Sequence, residues 1–147
     1  GVLHAIPQHE LVIDHPDFRA DSVDAIISPD AGASKKIYKL AKKLNVPVIE
    51  CGKKRNVVTG EIIGTTIGNL PDDHQNLKNI WVFDDICDGG ATFLNLAKAF
   101  KEAYPDKEYT LNLFVTHGIF SKGLTILSDY YSKVLAVVDL RKETSNV

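Results

Sequence analysis

Apolar segments of strand length alternate with amphipathic segments of helix length, and this alternation constrains the fold more than any other feature. Residues 80–83 (Ile-Trp-Val-Phe) form a continuous apolar run, typical of a strand that is buried on both faces. Similar runs lie at 24–28, 46–51, 109–115 and 134–138. Strands separated by helices of this length predict an α/β fold, with a parallel sheet flanked by helices and joined by right-handed crossovers.

The segments between the strands have helical periodicity. In residues 34–44, apolar side chains recur at i, i+3, i+4 and i+7, and lysines take most of the remaining positions. We interpret those lysines as the solvated face of the helix and not as a nucleic-acid patch. A second helix is predicted from Ala91 up to Pro105, and a short one over 122–128.

Composition limits the class of protein. The 147 residues are 44% hydrophobic and 24% charged, which indicates one globular domain and excludes a coiled coil or a disordered tail. A formal net charge of −2 gives no bulk attraction for nucleic acid or for a membrane surface. Two cysteines are too few for a disulfide framework, and they favour a cytoplasmic protein. The chain begins with Gly1 and has no methionine, so we expect residues 1–147 to be a single domain of a longer protein.

The strongest local signal follows the apolar run at 80–83. Two adjacent carboxylates, Asp84 and Asp85, come directly after it. A third carboxylate and four small residues then open the next helix: Asp88, Gly89, Gly90, Ala91 and Thr92. Glycines let the backbone approach an anion, and the amide groups and dipole of a helix N-terminus favour a phosphate. Carboxylates repel phosphate and suit sugar hydroxyls, so the segment predicts a site for a phosphorylated sugar.

The alternative interpretation of this segment is an ordinary helix start, in which Asp88 caps the helix and the two glycines make the turn. A cap needs one acid, whereas the segment has three. Neither the Gly-x-x-x-x-Gly-Lys-Ser/Thr loop of nucleoside triphosphatases nor the Gly-x-Gly-x-x-Gly dinucleotide motif is present in the sequence.

Three segments together are similar to a known family. Residues 82–92 resemble the motif that binds 5-phosphoribosyl 1-diphosphate (PRPP) in type I phosphoribosyltransferases and in ribose-phosphate pyrophosphokinases, the PRPP synthetases. Residues 27–33 resemble the Ser-Pro-Asp-x-Gly segment of the synthetases, and residues 116–121 their Thr-His-Gly-x-Phe-Ser segment. The resemblance extends over about 7–138 and onto the C-terminal half of the synthetases, and it implies the type I phosphoribosyltransferase fold.

The resemblance implies a role for each matching residue. Asp84 and Asp85 would bind the 2- and 3-hydroxyls of ribose 5-phosphate, and Asp30 would help to hold Mg²⁺ near the anomeric oxygen. The 5-phosphate would be bound by Asp88, Gly89, Gly90, Ala91 and Thr92. The family pattern usually has threonine after the third acid, where this chain has Gly89, so backbone amides must do more of the phosphate binding.

A second group of expected site residues lies in residues 52–57, which resemble the mobile catalytic loop of the synthetases. Lys53 and Arg55 match the lysine and arginine that act on the phosphates there. Fixed positive charge is what phosphoryl transfer needs, because negative charge spreads over the transferring oxygens. Without the resemblance, a solvated basic loop would be the simpler interpretation.

The activity implied is formation of PRPP and AMP from ATP and ribose 5-phosphate with Mg²⁺, by a protein that forms homo-oligomers when full length. Residues from the N-terminal half and a neighbouring subunit complete the ATP site in that family, so we expect this chain alone to bind ribose 5-phosphate or PRPP but to turn over poorly or not at all. Two alternatives stay open: a phosphoribosyltransferase that consumes PRPP, and a non-catalytic or PRPP-sensing subunit of the synthetase family.

Overall fold

Six strands form one sheet in the computed structural model, which describes residues 18–29, 35–87 and 89–139. The elements in chain order are β1 (Ala25–Ser28), α1 (Lys35–Leu44), β2 (Val48–Arg55), β3 (Ile62–Ile67), β4 (Asn79–Cys87), α2 (Ala91–Ala103), β5 (Thr110–Gly118), α3 (Thr125–Ser128) and β6 (Lys133–Asp139). The strand order in the sheet is β3-β2-β1-β4-β5-β6. Within the described ranges, no helix has the length and apolar character needed to cross a bilayer.

The predicted parallel sheet is confirmed for five of the strands. β1 pairs in parallel with β2 and β4, β4 with β5, and β5 with β6. The sixth strand, β3, pairs antiparallel with β2 at one edge of the sheet. In parallel sheets of this kind, the carboxyl ends of the strands share one edge, and ligands bind there.

The helices pack on both faces of the sheet, as predicted. Ile80 and Val82 of β4 belong to a buried cluster that includes Phe93 and Leu96 of α2. Trp81 and Phe83, which alternate with them, belong to a second cluster that includes Leu40 of α1. β4 is therefore apolar on both sides because each side is covered by a helix.

The prediction of a loop at 52–57 is wrong for most of its length. β2 continues through Gly52 and Lys53 to Arg55, and the extension pairs with β3, with Lys53 opposite Thr65. Glycine and a run of charge indicated a loop, but the antiparallel partner supplies the hydrogen bonds that make a strand possible. A β-carbon at Gly52 would lie 2.7 Å from Thr66 Oγ1, so this glycine permits the close pairing.

The β2–β3 hairpin ends in a turn that exposes two valines to solvent. Asn56 Oδ1 accepts hydrogen bonds from the backbone amides of Val58 at 2.8 Å and Thr59 at 3.0 Å, which orders the turn. The side chains of Val57 and Val58 at its tip are 100% and 89% exposed. The hairpin is thus an ordered ribbon with an apolar tip.

β4 and β5 are both longer than the sequence predicts. β4 reaches Cys87 and β5 reaches Gly118, and the extensions pair with each other, with Ile86 opposite His117. Asp84 and Asp85 therefore lie in the second half of β4 and not in the loop after it.

Tyr131, which follows α3, connects this helix to α2. Its hydroxyl donates to the Phe93 carbonyl of α2 at 2.7 Å, and burial raises the pKa of Tyr131 well above its ordinary value. Tyr131→Phe removes this hydrogen bond, whereas the Phe93 carbonyl, inside α2, keeps its helical bond from the Ala97 amide. We expect a loss of about 0.5–1.5 kcal/mol in the free energy of unfolding, measured by urea denaturation.

The matched control is Tyr130→Phe, because Tyr130 is the exposed neighbour of Tyr131 and its loss should be below about 0.5 kcal/mol. The unfolded chain ionises Tyr131 near its ordinary pKa of 10.0, whereas the folded protein does not. Wild-type stability should therefore fall above that pH, and Tyr131→Phe should fall less steeply. Equal free energies of unfolding for Tyr131→Phe and Tyr130→Phe would contradict the role assigned to the Tyr131 hydroxyl.

Candidate functional site

The acid pair lies at the carboxyl end of β4, at the edge of the sheet where ligands are expected. Asp84 is half-buried and Asp85 is exposed, and the Asp85 amide donates to Asp84 Oδ1 at 2.8 Å. β1 ends beside this point, since Ile27 pairs with Val82. Asp30 follows the end of β1 by two residues, but Asp30 and Asp88 themselves lie outside the described residues.

The chain then turns into α2 through Gly90. Gly90 is the N-cap residue, and its φ of 88° and ψ of 0° place it in the left-handed region that favours glycine. A β-carbon here would also lie 3.3 Å from Leu127 Cδ2 of α3. Because the N-cap is a glycine, it contributes no side chain to the first-turn amides, and this arrangement suits an anion at the helix N-terminus.

A tight turn after β5 packs against the start of this loop. The amides of Ile119 and Phe120 both donate to the Cys87 carbonyl, at 2.8 and 3.2 Å. A β-carbon at Gly118 would lie 2.1 Å from the Phe120 ring, so the glycine leaves the space that the buried ring fills. The Thr-His-Gly-x-Phe-Ser segment at 116–121 therefore packs the turn after β5 against the end of β4.

α2 and the β2–β3 hairpin enclose an open cleft of about 620 Å³. Lys53 lines it from β2, and Ala91 and Thr92 line it from the first turn of α2. Two further lysines and one acid also line it: Lys54, Lys98 and Glu102. The cleft thus joins an expected catalytic lysine to an expected phosphate-binding helix turn, with an excess of positive charge.

Other expected site residues do not reach this cleft. Among the described residues, Arg55, Asp84 and Asp85 are not part of its lining. The Arg55 guanidinium donates to the Gly60 carbonyl at 3.0 Å, within the turn of the hairpin. Arg55 therefore stabilises the hairpin tip in this structure, whereas Lys53 faces the cleft.

Sequence comparison shows which known proteins this chain is similar to, although no protein-family model matches it. The chain is 31% identical over 121 residues to the ribose-phosphate pyrophosphokinase of Cereibacter sphaeroides. The match covers 81% of this chain and 33% of that protein. This chain is a relative of the ribose-phosphate pyrophosphokinases. It spans about a third of the length of the curated relatives it matches.

Solved structures confirm the type I phosphoribosyltransferase fold. The phosphoribosylpyrophosphate synthetase of Mycobacterium smegmatis superposes with a TM-score of 0.59 and 22% identity, covering 80% of this chain and 35% of that chain. The orotate phosphoribosyltransferase of Aeropyrum pernix superposes with a TM-score of 0.61 and 15% identity, covering 94% of this chain and 72% of that chain. The fold is thus common to pyrophosphokinases and to enzymes that transfer ribose phosphate to a base.

The residues of this pyrophosphokinase relative fit a Mg²⁺ ion that is shared with phosphate. Mg²⁺ takes oxygen ligands and is usually held by one or two carboxylates together with substrate phosphates. Asp30, the residue expected to hold this ion, lies outside the described residues, and Asp84 and Asp85 at the end of β4 are expected to bind the ribose hydroxyls. Across 18–29, 35–87 and 89–139, no cluster of three or more His, Cys, Asp or Glu could hold a metal by itself. A carboxylate that shares Mg²⁺ with substrate phosphates needs no such cluster.

Sequence reasoning missed two lysines of the site region. Lys98 follows Ala91 by seven residues, two turns of α2, and lines the same cleft, so helical spacing alone could have indicated it. Lys122 lies beside Gly89: a β-carbon at Gly89 would be 3.7 Å from Lys122 Cε. The packing of the turn after β5 brings Lys122 to Gly89, and no periodicity in the sequence predicts that packing.

The two glycines before α2 should differ in their tolerance of a side chain. Gly90→Ala forces alanine into the left-handed region and against Leu127, so we expect a loss of about 1–2 kcal/mol in the free energy of unfolding. Gly89 lies outside the left-handed region, and a β-carbon there would make ordinary contacts. Gly89→Ala is therefore the matched control, with a loss below about 0.5 kcal/mol. Urea denaturation of both variants measures this, and equal losses would refute the assignment of Gly90 as the constrained position.

Proposed function

We propose that this chain supplies the ribose 5-phosphate and PRPP site, together with the catalytic lysine, of a ribose-phosphate diphosphokinase. The reaction is ATP plus ribose 5-phosphate to PRPP plus AMP. The observation that supports the proposal most directly is the cleft in which Lys53 faces the first turn of α2. The sequence relationship to pyrophosphokinases supports the choice of reaction among the enzymes that share the fold.

The product carries two anionic groups, a phosphate on carbon 5 and a diphosphate on carbon 1. Asp88, Gly89, Gly90, Ala91 and Thr92 bind the 5-phosphate, with backbone amides and the Thr92 hydroxyl as donors. Asp84 and Asp85 accept hydrogen bonds from the ribose 2- and 3-hydroxyls. The half-buried position of Asp84 strengthens such a bond, because water competes less there.

The transfer step needs positive charge at the other end of the sugar. The anomeric hydroxyl loses its proton to water and bonds to the β-phosphorus of ATP, while the bond from that phosphorus to the oxygen retained by AMP breaks. Lys53 holds the transferred diphosphoryl oxygens, and Lys54 and Lys98 add positive charge to the cleft. Arg55 joins Lys53 on these oxygens once it leaves the Gly60 carbonyl, as the resemblance implies.

A Mg²⁺ ion, ATP and further copies of the protein complete the proposal. Asp30 would hold the ion, and the ion would offset the charge of the diphosphoryl oxygens. Cys51 and Cys87 are both buried and neither forms a disulfide, which agrees with a cytoplasmic location. The full-length protein forms a homo-oligomer that binds small molecules and neither nucleic acid nor membrane.

The role of Lys53 predicts a difference between two ligands. PRPP has the diphosphate that Lys53 contacts, and ribose 5-phosphate does not. Lys53→Ala should therefore raise the Kd for PRPP about tenfold and change the Kd for ribose 5-phosphate by less than about twofold. Isothermal titration calorimetry with the 147-residue chain measures both constants.

The matched control is Lys42→Ala, which removes an exposed lysine from the last turn of α1. It should leave both dissociation constants unchanged. An equal loss of affinity for the two ligands in Lys53→Ala would show that Lys53 lies at the 5-phosphate and not at the diphosphate. Failure of the wild-type chain to bind either ligand would overturn the proposed site.

A non-catalytic, PRPP-sensing module is the second candidate, and the Arg55 contact with Gly60 favours it, since Arg55 is held away from the cleft. Turnover separates the two. In the full-length protein, Lys53→Ala should abolish PRPP formation from ATP and ribose 5-phosphate, measured as AMP release, because the transition state loses its positive partner. Turnover that does not change in Lys53→Ala, or that is absent from the wild type, would favour the sensor.

A further inference from the structure

We propose that Lys122, in the turn after β5, is a phosphate-binding residue of this site that acts from outside the PRPP motif. This inference rests on the proposed function and names an additional ligand for the 5-phosphate. Its starting observation is the position of the Lys122 side chain. A β-carbon at Gly89 would lie 3.7 Å from Lys122 Cε and 3.8 Å from Lys122 Cδ.

Packing and hydrogen bonds hold the turn that carries Lys122 close to Gly89. The Phe120 ring is buried in the same cluster as Leu127, in the space beside Gly118. Two backbone hydrogen bonds to the Cys87 carbonyl join the turn to the residue that precedes the loop. Phe120 itself has a φ of 50°, an uncommon value for a residue with a side chain, which indicates that the surroundings hold the turn in one conformation.

The loop needs a donor at this point. Gly89 has no side chain, so only its backbone amide can contact a phosphate from that position. Ser121 Oγ would be 4.0 Å from a β-carbon at Gly89, and the Lys122 stem lies closer still. The neighbouring turn therefore offers a hydroxyl and an ammonium where the loop offers no side-chain donor.

Charge gives a second reason for a cation here. The segment from Asp84 to Asp88 contains three carboxyl groups, and a phosphate dianion next to them is repelled. The amides and dipole of α2 offset part of this repulsion. Lys122, exposed and long enough to reach past Gly89, offsets more of it and forms a charge-assisted hydrogen bond.

The test compares the Kd of ribose 5-phosphate across variants of the 147-residue chain. Lys122→Gln should raise the Kd roughly three- to tenfold, since the contact is charge-assisted but screened by solvent. Lys122→Arg keeps the charge and should stay within about twofold of the wild type. Lys101→Gln is the matched control, because Lys101 is an exposed lysine in the last turn of α2 and should not change the Kd.

Salt dependence gives a readout that a structural role would not move. The Kd of the wild type should rise more steeply with sodium chloride than the Kd of Lys122→Gln, because the variant has lost one ionic contact. Binding by the wild type with equal Kd and equal salt dependence in Lys122→Gln would overturn this inference and leave the proposed function standing. No binding of ribose 5-phosphate by the wild type would overturn both.

Discussion

The parallel pairing of β4 between β1 and β5 is the constraint on which the rest of this structure depends. It buries β4 on both faces, so four consecutive apolar residues are needed there, and it brings the carboxyl ends of the strands to one edge. The residues of the PRPP motif that are assigned to ribose 5-phosphate lie in β4 or directly after it. Lys53 reaches the same region from a different direction, along the extended β2.

Two kinds of interaction shape the site edge. The first is close packing at glycines: Gly90 adopts a left-handed conformation beside Leu127, and Gly118 makes room for the Phe120 ring. The second is backbone pairing beyond the core of the sheet, seen where β4 and β5 extend together past Val115. The glycine packing and the backbone pairing fix the position of this edge without using charged side chains. The charged residues at the edge therefore stay available to a ligand.

The sequence predicts the central architecture well because its signals are local. The apolar run before Asp84 and the stripe on α1 have the periods of a buried strand and an amphipathic helix, and the structure confirms both elements. The sequence also predicted the position of the acid pair and of the two glycines before α2. An apolar run followed by carboxylates and small residues is typical of a strand that ends at a ligand site. The roles of these residues toward ribose 5-phosphate stay predictions.

Features that depend on distant partners were not predictable. The strand at Gly52–Arg55 exists because β3 pairs with it, and a glycine followed by three basic residues indicates a loop until that partner is known. The turn of Arg55 toward Gly60 depends on the same hairpin. Lys122 approaches Gly89 only because Phe120 is buried, and no periodicity in the sequence reports such a contact.

The continuity of β2 has a consequence for how relatives of this chain can differ in length. One strand runs from the core at Ile49 to Lys53, so the lysine has no loop to absorb an inserted residue. Because side chains alternate across a strand, a single insertion or deletion between them would turn Lys53 to the opposite side of the ribbon. Length changes should therefore accumulate at the hairpin tip around Val57 and Val58, where the backbone can lengthen without altering the direction of any side chain that faces the cleft.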